Sequence, residues 1–175
     1  KEVADVIIKA EKLLKKEKPD ILLILGDTNS GLSAIPAAYQ GIKIAHLEAG
    51  MRSYDPRMPE EKNRVMIDHL STVLLPYTQY SRDNLIRENI HPSKIYVIGN
   101  PIIEVIQHYL PKIEKSRILE SLKLKKNDYF LVTAHRTENV DNKSSLKNIF
   151  LGLEKISKTF RKKIIYPIHP RTMSK

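Results

Sequence analysis

The densest group of side chains able to do chemistry lies just after a short apolar run near the end of the chain. His135, Arg136, Glu138 and Asn139 follow the apolar residues 129–133. A histidine can carry or donate a proton near neutral pH, and an arginine holds phosphate oxygens in a bidentate fork. The group therefore suits a diphosphate, and a polar loop around a helix cap is the alternative.

Other apolar runs also end in polar residues. Asp27 follows the run at 21–25, and Glu48 follows the run at 42–47. His169 follows a further run at 163–168. Ligands of open α/β sheets bind at the carboxyl ends of the strands, so these ends predict parts of a site. For Asp27 a capping role, with the side chain bonded to free backbone amides, stays equally open.

Glu48 is better explained by function than by structure. Glu48 directly follows a strand that is predicted to be buried, and burying an unpaired carboxylate costs several kcal/mol. His46 lies two residues earlier, and the two side chains could suggest a metal pair. No third ligand accompanies them, so we predict no metal site.

The loop after Glu48 leads into a helix that starts at residues 59–60. Arg52 lies in the loop, and Glu60 and Arg64 lie in the first turns of the helix. Complementarity with the helix dipole is a sufficient alternative reason for Glu60 and, more so, for Glu61.

Apolar periodicity predicts alternating helices and strands. An amphipathic helix at 2–16 ends before Pro19, and the later strands are continuously apolar, which is typical of a parallel sheet covered on both faces. The predicted strands are 21–25, 42–47, 72–75, 95–98, 129–133 and 163–168. The predicted helices are 31–40, 60–70, 79–89 with Ser81 as its cap, two short helices around Pro111 within 102–124, and 144–160.

The alternation is interrupted after residue 99, so we predict three segments. Residues 1–100 form the later part of one Rossmann-like domain, 101–125 form crossing helices, and 126–175 begin a second Rossmann-like domain. Neither domain looks complete, and we expect the chain to be a piece of a larger enzyme.

Composition narrows the class of protein. The 175 residues contain no Cys, which excludes disulfides and Cys-based sites. No apolar run reaches the roughly 18 residues of a membrane span, so we expect a cytoplasmic protein without membrane association.

The net charge of +10 is concentrated in residues 101–175, which carry 16 basic and 7 acidic side chains. Short basic runs favour solvated surface over an anionic partner, and we expect no nucleic-acid binding.

Five motifs occur in the order found in one enzyme family. Together they resemble the non-hydrolysing UDP-N-acetylglucosamine 2-epimerases, although each alone is weak evidence. The motifs are Gly-Asp-Thr at 26–28, His-Leu-Glu-Ala-Gly-Met-Arg at 46–52, Pro-Glu-Glu-Lys-Asn-Arg at 59–64, Gly-Asn-Pro at 99–101, and Ala-His-Arg-Thr-Glu-Asn at 134–139.

The resemblance implies an α/β fold of GT-B type, with two Rossmann-like domains. It implies epimerisation at C2 of UDP-N-acetylglucosamine to UDP-N-acetylmannosamine, a precursor of cell-envelope polysaccharides. UDP would be eliminated and added back, without a redox cofactor or metal, and the intact protein is expected to be a homodimer.

The resemblance also implies roles for individual residues. Asp27, Glu48, Glu60 and His135 look like the catalytic groups. We expect the remaining polar residues of the motifs and strand ends to bind substrate: Arg52, Arg64, Arg136, Glu138, Asn139 and His169. Thr137 stands where many relatives have a second arginine. The strand and loop that begin the family's first domain, and the later part of its second, are absent, so we expect this chain alone to be inactive.

Three alternatives remain open. The intact protein could be a hydrolysing epimerase or a GT-B glycosyltransferase. It could also be a non-catalytic module that binds nucleotide sugars or polyanions, which the basic second half would favour. The absence of Gly-x-Gly-x-x-Gly and P-loop motifs leaves no support for dinucleotide or ATP sites of those kinds.

Overall fold

A computed structural model describes residues 1–134, 141–168 and 173 of the chain. The chain forms two compact units, Lys1–Ile106 and Gln107–Lys175. The boundary between the units lies within the helix Ile102–Glu114.

The first unit contains a parallel three-stranded sheet. In chain order its strands are β1 (Ile21–Leu25), β2 (Lys43–Leu47) and β3 (Val73–Leu75), and they are neighbours in the same order. Its helices are α1 (Glu2–Glu17), α2 (Ala34–Tyr39), α3 (Pro59–Leu70) and α4 (Gln79–Arg87), with short 3-10 turns at Asn29–Ser33 and Pro92–Lys94.

Local sequence signals explain where these helices begin and end. Lys18 caps α1 in the left-handed conformation, with φ of 46°, and donates its N–H to the Leu14 carbonyl. Pro59 occupies the first turn of α3, where its missing N–H costs nothing. The cap of α4 is Thr78, whose side chain accepts the Ser81 N–H. The prediction that Ser81 is the cap was wrong, because Ser81 already lies in the helical turn.

One face of the sheet forms the core with α1, α2 and α3. Leu14, Ile24, Ile44 and Ile67 are buried there. On the other face of β1, Ile21, Leu23 and Leu25 are 49%, 60% and 65% exposed. The expectation of a sheet covered on both faces was therefore wrong for β1 in the described structure, because these helices pack on a single side.

A second apolar cluster joins β3 to α4. It contains Ala49, Leu74, Leu85, Ile90 and Ile95. The predicted strand at 95–98 is reduced to a bridge between Leu74 and Ile95, although the backbone continues alongside β3 through hydrogen bonds to Leu74 and Pro76.

The second unit has a parallel strand pair. From residue 102 onward the elements are α5 (Ile102–Glu114), which spans the boundary, and then α6 (Ile118–Ser121), β4 (Tyr129–Leu131), α7 (Lys143–Phe160) and β5 (Lys163–Ile165). β4 pairs with β5, and α7 connects them. The ring of Phe130 meets the edge of Phe160 at a centroid distance of 5.6 Å.

Pro111 lies inside α5, although we predicted two short helices on either side of it. Proline removes one helical hydrogen bond and crowds the preceding turn. No residue of α5 is buried. The carbonyl left without a donor is therefore open to water, which lowers the cost of keeping the helix continuous.

Gly50 provides a test of packing between the β2–α3 loop and α4. A Cβ atom at Gly50 would lie 2.2 Å from the Ser81 carbonyl oxygen. We expect Gly50→Ala to lower the free energy of unfolding in urea by about 1–3 kcal/mol from the clash, beyond about 1–2 kcal/mol from its positive φ.

The matched control is Gly41→Ala. Gly41 has a φ of 72°, close to the 75° of Gly50, but apart from Gly41 and its two chain neighbours no atom of the described residues lies within 4 Å of the place that a Cβ would take there. Equal losses of stability in the two variants would show that the close approach to Ser81 does not contribute to the loss in Gly50→Ala.

Candidate active site at the carboxyl edge of the first sheet

The register of the sheet places the ends of three strands side by side. Leu25 pairs with Leu47, and Leu47 pairs with Leu75. The ladder extends one step further, with Gly26 N–H donating to Leu47 at 3.1 Å and Glu48 N–H donating to Leu75 at 3.2 Å. The residues that follow these strands therefore share one edge, as the sequence predicted for Asp27 and Glu48.

Asp27 is tied to α3 through both its side chain and its backbone. Its carboxylate accepts from Arg64 Nε at 3.0 Å and also from Arg64 Nη2. Its carbonyl oxygen accepts from Asn63 Nδ2 at 2.9 Å. The Asp27 side chain is 20% exposed, so it is held by α3 and still open on one side.

Glu48 lies beside Asp27 in a conformation that is rare for a residue with a side chain. Its φ is 71°. Its Oε2 atom would lie 3.6 Å from a Cβ at Gly26, so the carboxylate comes close to the backbone just before Asp27. A non-glycine residue in the left-handed region is uncommon and persists only where its surroundings impose it.

Electrostatics set Glu48 apart from the other carboxylates of the site. Burial raises its pKa above the ordinary 4.5, and the negative charge of Asp27 raises it further. Arg64 and His46 oppose this shift without cancelling it. A carboxyl group with a raised pKa is suited to exchange protons with a bound molecule.

Glu60 and Glu61 are neighbours in the first turn of α3 but differ in exposure and in contacts. Glu60 is exposed in the first turn of α3. Glu61 is buried, and it accepts from the Ser53 and Tyr54 N–H groups and from Arg64 Nη1. Glu61 therefore holds the β2–α3 loop, a role the sequence analysis missed because its helical position already had a sufficient explanation.

The pKa of Glu61 reflects these contacts. Burial alone would raise it, but the hydrogen bonds from Ser53 and Tyr54 and the charge of Arg64 leave it below the ordinary 4.5. Arg64 consequently bridges two carboxylates, Asp27 and Glu61, with its side chain 11% exposed.

Arg52 is enclosed by protein. Its side chain is 1% exposed and pairs with Asp68 at 2.8 Å and with both oxygens of Glu88 at 2.6 and 2.7 Å. Burial alone would lower the pKa of Arg52, but the hydrogen bonds and charges of Glu88 and Asp68 raise it, so the guanidinium stays charged. This geometry favours a structural role over the substrate contact that the sequence predicted.

Tyr77 is a further residue at this edge that sequence reasoning missed. It follows β3 by two residues, and burial together with the charge of Glu48 raises its pKa. The rule that polar residues after a strand form sites could have found it. The predicted run ended at 75, however, and Pro76 separates Tyr77 from the strand.

The remaining predicted site residues lie outside the described part of the chain. They are His135, Arg136, Glu138, Asn139 and His169. In the described part, no three His, Asp, Glu or Cys side chains are arranged to hold a metal ion. None of the described helices has the length and apolar character needed to cross a membrane.

Comparison with known proteins decides the family. The family model described as UDP-N-acetylglucosamine 2-epimerase matches residues 1–175. The chain belongs to this family. The UDP-N-acetylglucosamine 2-epimerase of Methanocaldococcus jannaschii is 46% identical over 171 residues, which make up 95% of this chain and 47% of that protein. The enzyme of the same name from Methanococcus maripaludis is 44% identical, over 97% of this chain and 48% of its own length.

Solved structures show the same fold. The M. jannaschii enzyme in complex with UDP-GlcNAc and UDP superposes with a TM-score of 0.87 at 44% identity, over 98% of this chain and 48% of that one. The epimerase from Rickettsia bellii superposes with a TM-score of 0.88 at 42% identity, over 98% and 45%. The expected GT-B class of α/β fold is confirmed. The chain spans about half the length of the relatives it matches.

The raised pKa of Glu48 predicts a pH-dependent gain in stability for Glu48→Gln. In wild type, the folded state binds the Glu48 proton more tightly than the unfolded state does. The contribution of Glu48 to the free energy of unfolding therefore falls as pH rises from about 4.5 through its folded pKa. The uncharged Gln avoids that loss. We expect the variant to be more stable than wild type in urea at pH 7, and the gain to vanish at pH 4.

Glu61→Gln is the control of opposite sign. Since the pKa of Glu61 is lowered, its stabilising contribution is present at neutral pH and is lost on acidification through the folded pKa. This variant should therefore be less stable than wild type at pH 7. A gain in both variants, or in neither, would contradict the electrostatic assignment.

Proposed function

We propose that the intact protein interconverts UDP-N-acetylglucosamine and UDP-N-acetylmannosamine by eliminating UDP and adding it back. The observation that carries this proposal is the pairing of Asp27 and Glu48 at one sheet edge in a chain that belongs to the 2-epimerase family. The M. jannaschii relative, solved with UDP-GlcNAc and UDP, supports the substrate class.

The chemistry fits the groups present. The C2 proton of the sugar is weakly acidic, so its removal requires a positioned base, and re-protonation from the opposite face requires an acid. Each such acid or base typically increases the reaction rate by about 10²–10⁴-fold. Glu48, with its raised pKa, is suited to one of these steps, and Asp27 lies close enough to influence its charge. Glu60 is our third acidic candidate, because it is exposed at the start of α3.

We assign the departing diphosphate to the second unit's polar motif. His135 and Arg136 would stabilise the charge that builds up on UDP, with Glu138, Asn139 and His169 as further contacts. In the first unit, the Arg64 guanidinium lies beside the acidic pair, because it bonds to Asp27 directly. The product supplies precursors of envelope polysaccharides in this proposal.

A second sugar substrate has support from one relative. The UDP-2,3-diacetamido-2,3-dideoxy-D-glucuronate 2-epimerase of Pseudomonas aeruginosa is 34% identical over 95% of this chain. Its name describes the same reaction centre, C2 of a UDP-sugar. We favour UDP-N-acetylglucosamine because the archaeal relatives named for it have higher identity, 46% and 44%.

Deuterium incorporation tests the reaction. The intact protein is incubated in deuterated water with each of the two UDP-sugars separately, and the products are read by NMR. When UDP-N-acetylglucosamine is supplied, we expect deuterium at C2 of an intact UDP-sugar and an equilibrium mixture of the two epimers. Free UDP with a released sugar would instead identify a hydrolysing epimerase. Transfer only when an acceptor is supplied would identify a glycosyltransferase, and binding without turnover would identify a non-catalytic module.

Replacing His135 tests the assignment of the diphosphate. If His135 donates to the leaving group, His135→Ala in the intact protein should lower kcat by about 10²-fold or more, as the loss of one preorganised donor does. His91→Ala is the control, since His91 is exposed and bonds to Ser93 within its own turn. A kcat and KM like those of wild type for His135→Ala would refute the catalytic assignment.

A further inference from the structure

Both ring nitrogens of His46 form hydrogen bonds within the first unit. Its Nδ1 lies 2.7 Å from Asp68 Oδ1, and its Nε2 lies 2.9 Å from the Gly26 carbonyl oxygen. The His46 side chain is 0% exposed, so water cannot replace either partner. These contacts link β2 to the end of β1 and to α3.

The two partners fix the number of protons on the ring. A carbonyl oxygen only accepts, so Nε2 carries a hydrogen. Asp68 accepts through its other oxygen from Gly50 N–H at 3.1 Å and from Arg52 at 2.8 Å, which fits an ionised carboxylate. With an ionised Asp68, a lone pair on Nδ1 would face a negative oxygen at 2.7 Å, so Nδ1 would carry a hydrogen as well and the ring would be an imidazolium.

These bonds reach the backbone on both sides of the acidic pair. The Gly26 carbonyl immediately precedes Asp27. On the other side, Asp68 binds the Gly50 N–H, two residues after Glu48, and Asn84 Nδ2 binds the Gly50 carbonyl at 3.0 Å. The left-handed turn at Glu48 is therefore held from both ends.

We propose that His46 is a positioning residue for the epimerisation: as a buried imidazolium between the Gly26 carbonyl and Asp68, it fixes Asp27 and Glu48 relative to each other. It does not touch the reacting sugar. Its positive charge also opposes the effect of burial on Glu48. This inference rests on the proposed function for its kinetic consequence, while the state of the ring and the order of the two backbone segments are independent of turnover.

The first measurement uses the intact wild-type protein labelled with ¹⁵N-histidine. At neutral pH one histidine should show the shifts of protonated nitrogen at both positions, and this signal should be absent in His46→Gln. In Asp68→Asn, the amide oxygen can still accept from Gly50 and Arg52 while its NH₂ donates to the ring. Nδ1 should therefore lose its proton in that variant. A neutral ring in wild type, or a doubly protonated ring in Asp68→Asn, would overturn the proposal.

The second measurement is amide hydrogen exchange in His46→Gln. Gln cannot span both partners, so exchange should accelerate at Gly26, Glu48 and Gly50, whose N–H groups bond to Leu47, Leu75 and Asp68. Amides in the middle of α1 should keep their protection, which excludes a general loss of folding. His91→Gln is the matched control at an exposed histidine. Unchanged exchange at the three site amides would contradict the positioning role.

The third measurement separates this inference from the proposed function. If both hold, His46→Gln should lower kcat by up to about 10²-fold with little change in KM, because misplaced groups slow the chemical step. An active wild type with an unaffected variant would refute the positioning role alone. An inactive wild type would refute the proposed function, while the ring and exchange measurements would still decide whether His46 holds the two segments.

Discussion

The buried carboxylate of Asp68 is the contact on which the acidic strand ends depend. It lies 2.7 Å from His46 Nδ1 and accepts from the Gly50 N–H and from Arg52, and Arg52 is neutralised in turn by Glu88. An isolated charge in this position would cost several kcal/mol, and removing one partner of a buried pair typically costs about 3–5 kcal/mol. Each charged group of this cluster is therefore stable in its buried position only while its partners are present. The result is a rigid connection between helix α3 and the ends of β1 and β2.

This connection supports a conformation that the local sequence does not favour. Glu48 adopts a φ of 71°, and the charge of Asp27 together with burial opposes its ionisation. Both features reduce stability, and both place a carboxyl group of raised pKa at an accessible edge. Proteins retain strain of this kind where the surroundings impose it, and such positions cluster at functional sites. Two carboxylates of α3 hold the segment that Glu48 begins: Asp68 binds the Gly50 N–H, and Glu61 binds the following loop at Ser53 and Tyr54.

Family membership and geometry contribute different parts of the functional argument. The match over residues 1–175 identifies the family, and the names of the relatives describe epimerisation at C2 of UDP-sugars in those proteins. The geometry of the first unit separates residues that bind one another from residues free to meet a ligand. Arg52 and Glu61 belong to the former group, whereas Glu48 and Glu60 belong to the latter. Since this chain spans about half the length of its relatives, the proposal concerns the intact protein.

The sequence by itself determined the class of fold, most element positions and the strand ends that carry Asp27 and Glu48. These follow from short-range rules: apolar runs predict buried strands, and polar residues after parallel strands meet at one edge. Tertiary structure alone decided which neighbour of a pair is bound by the protein itself. Glu60 and Glu61 share the same helix turn, yet only Glu61 contacts the loop at Ser53. His46 resembled half of a metal pair until its partners, Gly26 and Asp68, were brought to it from 20 and 22 positions away. Hydrogen bonds over such distances depend on packing, which periodicity does not encode.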